Sequence, residues 1–152
     1  NVRQAGRRVT LLLAGDGSLK PFLEAEAEKL GLGQDVFFLG NVSQEWLARV
    51  IPVVDVVLSP LTGRALGEVA LGAAPTVAYD VDWHSEIIET GKTGFLVPLG
   101  DIDGMAAATK YCIEHSDVAK SCGRQLRYRA LEMFNGWTNI EQQKKVYEEI
   151  DE

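Results

Sequence analysis

Short apolar runs recur along the chain, and stretches with helical spacing separate them. Residues 9–14, 36–39, 53–58, 76–79 and 95–97 are, apart from Asp55, aliphatic, aromatic or β-branched without polar alternation. That is the pattern of strands buried on both faces, as in a parallel sheet. After the first run, Gly15-Asp16-Gly17 makes a turn, and Ser18 is expected to N-cap a helix over residues 19–30. Phe22, Leu23, Ala27 and Leu30 form its apolar side, Pro21 is tolerated in its first turn, and Gly31 or Gly33 ends it. Ser43 caps a short helix whose buried side carries Trp46 and Leu47. Residues 64–71 are helical and closed off by Pro75, and residues 85–90 form another short helix. Asp101 or Asp103 caps a helix with its apolar face over 105–113. Ser116-Asp117 caps a longer one that reaches about Phe134 and is broken by Asn135-Gly136. A last helix begins at Trp137-Thr138-Asn139 and carries Ile140, Val146, Tyr147 and Ile150. The alternation predicts an α/β protein: a doubly wound parallel sheet of about five strands, with helices on both faces.

The 152 residues fit one domain, and a hydrophobic fraction of 46% excludes disorder. No apolar run has the length of a membrane-spanning helix, and the polar, basic residues 1–8 read as neither signal peptide nor anchor. A net charge of −7 argues against a nucleic-acid surface. Cys112 and Cys122 lack metal-site or C-x-x-C spacing and read as reduced packing residues of a cytoplasmic protein. Arg124, Arg127 and Arg129 read as a solvated helical face.

Candidate chemistry gathers at residues 59–80. A strand ends at Ser59-Pro60, a loop containing Thr62 and Gly63 follows, and a helix starts at Arg64. The first N–H groups of such a helix, around Ala65 and Leu66, have no intrahelical partner and suit an anion. Arg64 opposes the helix dipole there, which a diphosphate would explain; an ion pair with Glu68 is the alternative. Glu68 lies five residues past Gly63, about 7 Å along the axis, and is placed to accept ribose hydroxyl protons. Gly15 and Gly17 occupy the C-terminal end of a strand, the edge at which open α/β sheets bind ligands, though such a pair is often only a turn. Trp83 and His84 follow the next strand; a structural or substrate-contact role suits His84 better than acid–base work, since no nucleophile pairs with it. Asp80 and Asp82 lack a third metal ligand.

These segments carry a resemblance. Residues 68–78, EVALGAAPTVA, resemble the E-A-M-A-x-G-x-P-V-V-A run of retaining glycosyltransferases with the GT-B fold, the large group 1 family. DVDWHSEII at 80–88 resembles D-V-G-G-x-x-E-L-I, and TGFLV at 93–97 resembles T-G-x-L-V. LAGDG at 13–17 and VFFLG at 36–40 are similar to the family's V-G-D-G and V-x-F-L-G. The order covers nearly the whole chain. It implies the C-terminal, Rossmann-like half of such an enzyme, the nucleotide-sugar-binding domain spanning residues 1–152, without its first strand–helix unit and without the N-terminal acceptor domain. The donor would be a nucleotide-diphosphate sugar such as a UDP- or GDP-sugar, held by Gly15, Gly17, Gly40, Val42, Thr62, Gly63, Arg64, Ala65, Leu66 and Glu68. The loop of Gly40 and Val42 would face the base through backbone groups or be a plain connection, and Trp83 and His84 would touch sugar or acceptor. The resemblance implies sugar transfer with retention to an acceptor hydroxyl, with no metal or other cofactor, the acceptor being a glycan, lipid or small molecule. The full-length protein would be cytoplasmic and could associate peripherally with a membrane. Two departures stand out. The family's first motif Glu falls on Pro60, in a loop that looks about four residues short, which leaves a non-catalytic nucleotide- or partner-binding module, or a GT-B-fold sugar-nucleotide epimerase, as the alternative. Ala73 occupies a position where the family has glycine.

Overall fold

The computed structural model describes residues 9–60, 65–136 and 140. The chain divides into two units, Asn1–Val50 and Ile51–Glu152. The terminal helix expected from Trp137 onward, and Leu61, Thr62, Gly63 and Arg64, lie outside the described residues apart from Ile140.

In the first unit, β1 (Leu11–Ala14) and β2 (Val36–Gly40) pair in parallel through α1 (Lys20–Lys29), and α2 (Gln44–Val50) follows. The expected cap on α1 is absent: Leu19, not Ser18, is the N-cap, with no side-chain hydrogen bond. Pro21 sits in the first turn as its missing N–H allows. The other end follows the sequence closely. Gly31 takes φ 68°, its N–H donates to Glu28 O, and the Leu32 N–H donates to Ala27 O. This is a Schellman closure, which needs a left-handed residue where glycine costs nothing. On α2, the Ser43 hydroxyl accepts from the Trp46 N–H at 3.2 Å, confirming that cap.

The second unit holds β3 (Val57–Ser59), α3 (Ala65–Leu71), β4 (Thr76–Tyr79), α4 (His84–Ile87), β5 (Phe95–Val97), α5 (Ile102–Glu114) and α6 (Ser116–Met133). The three strands form one parallel sheet in the order β3-β4-β5. The five expected strands thus form two ladders, of two and three strands. β3 is shorter than expected because residues 51–53, with Pro52, close into a 3-10 turn instead of extending. α4 stops at Ile87, short of the expected Thr90, because Thr93 intervenes. The Thr93 hydroxyl donates to Ile87 O and accepts from the Glu89 N–H, which draws the chain out of the helix. Asp101 is the cap of α5, accepting from the Gly104 N–H at 2.8 Å. Ser116-Asp117 does not cap α6; His115 precedes it without a side-chain bond.

β4 is the centre of this unit. Thr76, Val77 and Ala78 are fully buried, and alternation sends Val77 and Ala78 to opposite faces. Val77 packs with Val97, Met105, Cys112 and Ala119, on the side covered by α5. Ala78 packs with Leu66, Ala70, Ile87, Ile88, Leu126 and Ala130, on the side covered by α3 and α4. The helices therefore lie on both faces, and α6 contributes to both cores: Ala119 to one, Leu126 and Ala130 to the other. Gly123 lies midway on α6. A Cβ there would stand 2.3 Å from Ala73 O and 2.8 Å from the Ala74 carbonyl carbon. The helix backbone thus rests on the chain entering β4, and only glycine permits that approach.

Among the described residues, two non-glycines hold left-handed backbone, Ala73 at φ 59° and Asp82 at φ 52°. Both fall where the family pattern has glycine. For an alanine this conformation costs roughly 1–2 kcal/mol, and for an aspartate less. Gly72 cannot relieve Ala73 by exchanging places with it, because a Cβ at Gly72 would strike Ile51 Cγ2 at 2.3 Å.

Candidate functional site

The sequence places its chemistry at the C-terminal ends of strands, and each unit presents such an end. In the first unit, Gly15 and Gly40 meet. The Gly15 N–H donates to Gly40 O at 2.7 Å, across a register shift between Leu13 and Ala14. Gly15 has φ 133° and Gly40 φ 65°, so both conformations favour glycine. A Cβ on Gly15, Gly17 or Gly40 would meet nothing within 4 Å, so the backbone of this lip is open to an approaching group. The Gly17 N–H is held by the Asp16 carboxylate at 2.8 Å. That N–H is engaged and a carboxylate lies beside it, so the turn suits a neutral group better than a phosphate. Val42 is half-buried next to Gly40 in the following loop.

In the second unit, α3 leaves the end of β3 after the undescribed residues. Ala65 is exposed, Leu66 is a core side chain, and Glu68 is half-buried. Leu66 can serve a ligand through its backbone alone. Gly67 lies under the ring of Phe134, where a Cβ would sit 3.5 Å from the ring edge. Trp83 packs edge-on against Phe134, at 6.0 Å between centroids, and against His84, at 5.8 Å. The Trp83 side chain thus bridges α4 and the end of α6, and Phe134 in turn meets α3 at Gly67. Sequence reasoning missed Phe134 in this neighbourhood. Its only signal was an aromatic at the end of a long helix, which does not say what the helix ends against.

His84 is fully buried. Its Nδ1 lies 2.8 Å from Tyr79 O, a pairing that assigns the ring hydrogen to Nδ1 as donor. Nε2 has no hydrogen-bond partner. Of the two roles open to it, burial supports the structural one: the ring ties the start of α4 to the end of β4. The T-G pair at 93–94 is also architectural. Thr93 pins the end of α4, and a Cβ on Gly94 would stand 3.0 Å from Thr76 O. Both thiols are buried, and desolvation pushes Cys112 up to about 11, with Cys122 raised for the same reason.

Known proteins are similar to this chain in sequence and fold. Residues 1–115 match the family model described as "Glycosyl transferases group 1". The putative glycosyltransferase EpsD of Bacillus subtilis is 30% identical over 141 residues, covering 90% of this chain and 36% of that protein. The alpha-D-kanosaminyltransferase of Streptomyces kanamyceticus is 32% identical over 117 residues, covering 74% of this chain and 30% of that protein. The chain thus spans about a third of the length of these relatives. Among solved structures, Anabaena Alr3699/HepE in complex with UDP-glucose superposes with a TM-score of 0.79 at 26% identity, over 93% of this chain and 41% of that one. With an α/β fold of parallel strands, the glycine lip and the α3 carboxylate where the motifs predict them, and a family match over most of its length, the chain belongs to the group 1 glycosyltransferases.

Proposed function

We propose that this chain is the donor-binding C-terminal domain of an enzyme that transfers a sugar, with retention, from a nucleotide-diphosphate sugar to an acceptor hydroxyl. In this reading the domain's first strand–helix unit and an N-terminal acceptor domain belong to the full-length protein, which works in the cytoplasm. The observation that carries the reading is the position of Glu68: half-buried on α3, the helix that follows β3, and within the residues that match the family. A carboxylate there accepts the two ribose hydroxyl protons of the donor. Binding of UDP-glucose by the similar Alr3699/HepE supports a UDP-sugar as donor. Thr62, Gly63 and Arg64 would complete the site by stabilising the departing diphosphate, an electrostatic contribution.

Calorimetric titration of UDP and 2′-deoxy-UDP into the full-length protein tests this. Glu68→Gln is expected to weaken UDP by roughly 1.5–3 kcal/mol, as for hydrogen bonds to a charged group, and to weaken 2′-deoxy-UDP less, since only the 3′-hydroxyl bond remains to be lost. Equal UDP affinity in the variant and the parent would refute the role of Glu68.

A second reading has one specific observation behind it. Pro60, exposed directly after β3, stands where the family has the first acidic residue of its motif. Proline offers neither a carboxylate nor an N–H to a sugar, which favours a nucleotide-binding module without turnover. Sugar transfer by the full-length protein excludes this reading, and nucleotide binding without turnover supports it.

A further inference from the structure

The Asn135-Gly136 pair that breaks α6 has no part in the site described above. It also stands apart from the other asparagines of the chain. Asn1, Asn41 and Asn139 precede the β-branched Val2, Val42 and Ile140, whereas Asn135 precedes glycine. A β-branched residue crowds its own backbone nitrogen and stiffens the chain, and glycine does neither. Both members of the pair are exposed. Asn135 lies outside regular structure, directly after the Phe134 C-cap of α6. Its N–H reaches back to Glu132 O at 3.4 Å, longer than an ordinary backbone bond. Gly136 opens the next helical turn, where a first N–H has no intrahelical acceptor. A Cβ on Gly136 would meet nothing within 4 Å, so no neighbour hems in the junction. Asp16-Gly17 and Asp103-Gly104 share the glycine but not the chemistry. A carboxylate is a poor electrophile, and the Gly17 and Gly104 N–H groups already donate to Asp16 and Asp101 at 2.8 Å.

We propose that Asn135 is a site of spontaneous deamidation that loosens the contact of Phe134 with α3. The Gly136 nitrogen attacks the Asn135 side-chain carbonyl carbon, Cγ. The new N–C bond closes a succinimide ring, the Cγ–Nδ2 bond breaks, and ammonia leaves with the proton shed by the Gly136 nitrogen. Water then opens the ring at either carbonyl. One opening gives an aspartate on the original main chain. The other routes the main chain through the former side chain, an isoaspartate with an extra methylene between residues 135 and 136. Both products gain a negative charge, and water is the only co-reactant. Phe134 immediately precedes this link. Its ring bears on Trp83, at 6.0 Å between centroids, and on α3 at Gly67. A main chain lengthened and re-aimed at the next residue no longer holds that ring in place, so the isoaspartyl form is the less stable one. The proposal does not depend on the donor reading.

The test is storage of the full-length protein at neutral and at mildly alkaline pH, native and in urea, with the peptide that holds Asn135 followed by mass spectrometry. The native protein is expected to gain about one mass unit at Asn135, as an amide NH2 gives way to OH. Conversion should be faster at the higher pH, because the attacking nitrogen must lose its proton, and within an order of magnitude of the rate in urea. Asn135→Gln, which would have to close a larger ring, and Gly136→Val, which crowds the nitrogen, should each slow it by an order of magnitude or more. Urea melts of fresh protein establish that both variants are folded. Anion exchange then separates aged from fresh protein by the added charge. The isoaspartyl fraction should unfold at lower urea than fresh protein, and Asn135→Gln should keep its midpoint on storage. An Asn135 peptide that stays intact in the native protein while the chain in urea converts overturns the proposal, and so does conversion that Gly136→Val leaves unchanged. An isoaspartyl fraction as stable as fresh protein overturns the link to the Phe134 contact.

Discussion

Gly123→Ala sets two physical effects of opposite sign against each other. In a helix interior, replacing glycine by alanine stabilises by about 1 kcal/mol through backbone entropy. On propensity alone the substitution should help. The structure predicts the reverse. The new Cβ would stand 2.3 Å from Ala73 O, 2.8 Å from the Ala74 carbonyl carbon and 3.0 Å from the Ala73 carbonyl carbon. Ordinary contact begins near 3.5 Å, so the helix or the β4 entry must retreat by about 1 Å. These are main-chain atoms, which cannot swing aside as a side-chain tip can. Moreover, Ala73 is already in left-handed backbone and tolerates little further distortion. Overpacking costs of about 1–3 kcal/mol apply, at the upper end or beyond here, which leaves a net destabilisation of about 2 kcal/mol. For a chain of this size that is a fall in Tm of about 4–8 °C. Gly67→Ala is the matched control: it is also within a helix, and its Cβ would lie 3.5 Å from the Phe134 ring, an ordinary contact. It should stabilise by about 0.5–1 kcal/mol. Urea and thermal melts of the two variants decide the matter. A Gly123→Ala variant as stable as the parent would refute the claim that α6 rests on the β4 entry.

Two further outcomes are expected. His84→Ala should destabilise by about 2–4 kcal/mol, through the cavity and the lost Tyr79 bond, while UDP affinity changes little; a stable variant that loses UDP would show that the ring serves the ligand. Cys112 ionises near 9.0 when unfolded and at about 11 when folded, so between those values the unfolded chain has lost a proton that the native protein retains. Stability should therefore fall as pH rises through that window, by up to about 1.4 kcal/mol per pH unit, and alkaline urea titrations should show a shallower fall in Cys112→Ala.

The parts of this fold that are legible in the sequence are those governed by neighbours along the chain. Gly31 closes α1 because a helix end calls for a left-handed residue within a few positions, and Ser43 caps α2 by reaching three residues ahead. The uninterrupted apolar run of β4 announces burial on both faces. Ser18 reads as a cap and is not one, since nothing local distinguishes a hydroxyl that turns inward to the helix from one left in water. The division of the strands into two ladders is set by pairing between distant residues and has no local signature. At the candidate site, the motifs located Glu68, Gly15 and Gly40 correctly on an α3 helix and two strand ends. For His84 they left a structural and a substrate-contact role open, and burial favours the structural one; its partner, Tyr79 O, is a backbone atom that no side-chain pattern records. Gly123 reads as a weak point in a helix and proves to be a contact, because its reason lies fifty residues earlier, at Ala73.

The double role of α6 bears on how the protein is synthesised. β4 leaves the ribosome before α6, carrying Val77 toward one core and Ala78 toward the other. Its second face is not sealed until Leu126 and Ala130 arrive, some fifty residues later in the chain. During that interval Leu66, Ile87 and Ile88 have no helix over them, and the nascent chain presents an apolar face beside an incomplete parallel sheet. Truncations within α6, or pauses in translating it, therefore leave a species prone to aggregation and attractive to chaperones, whereas a chain extended past Met133 can close both cores together.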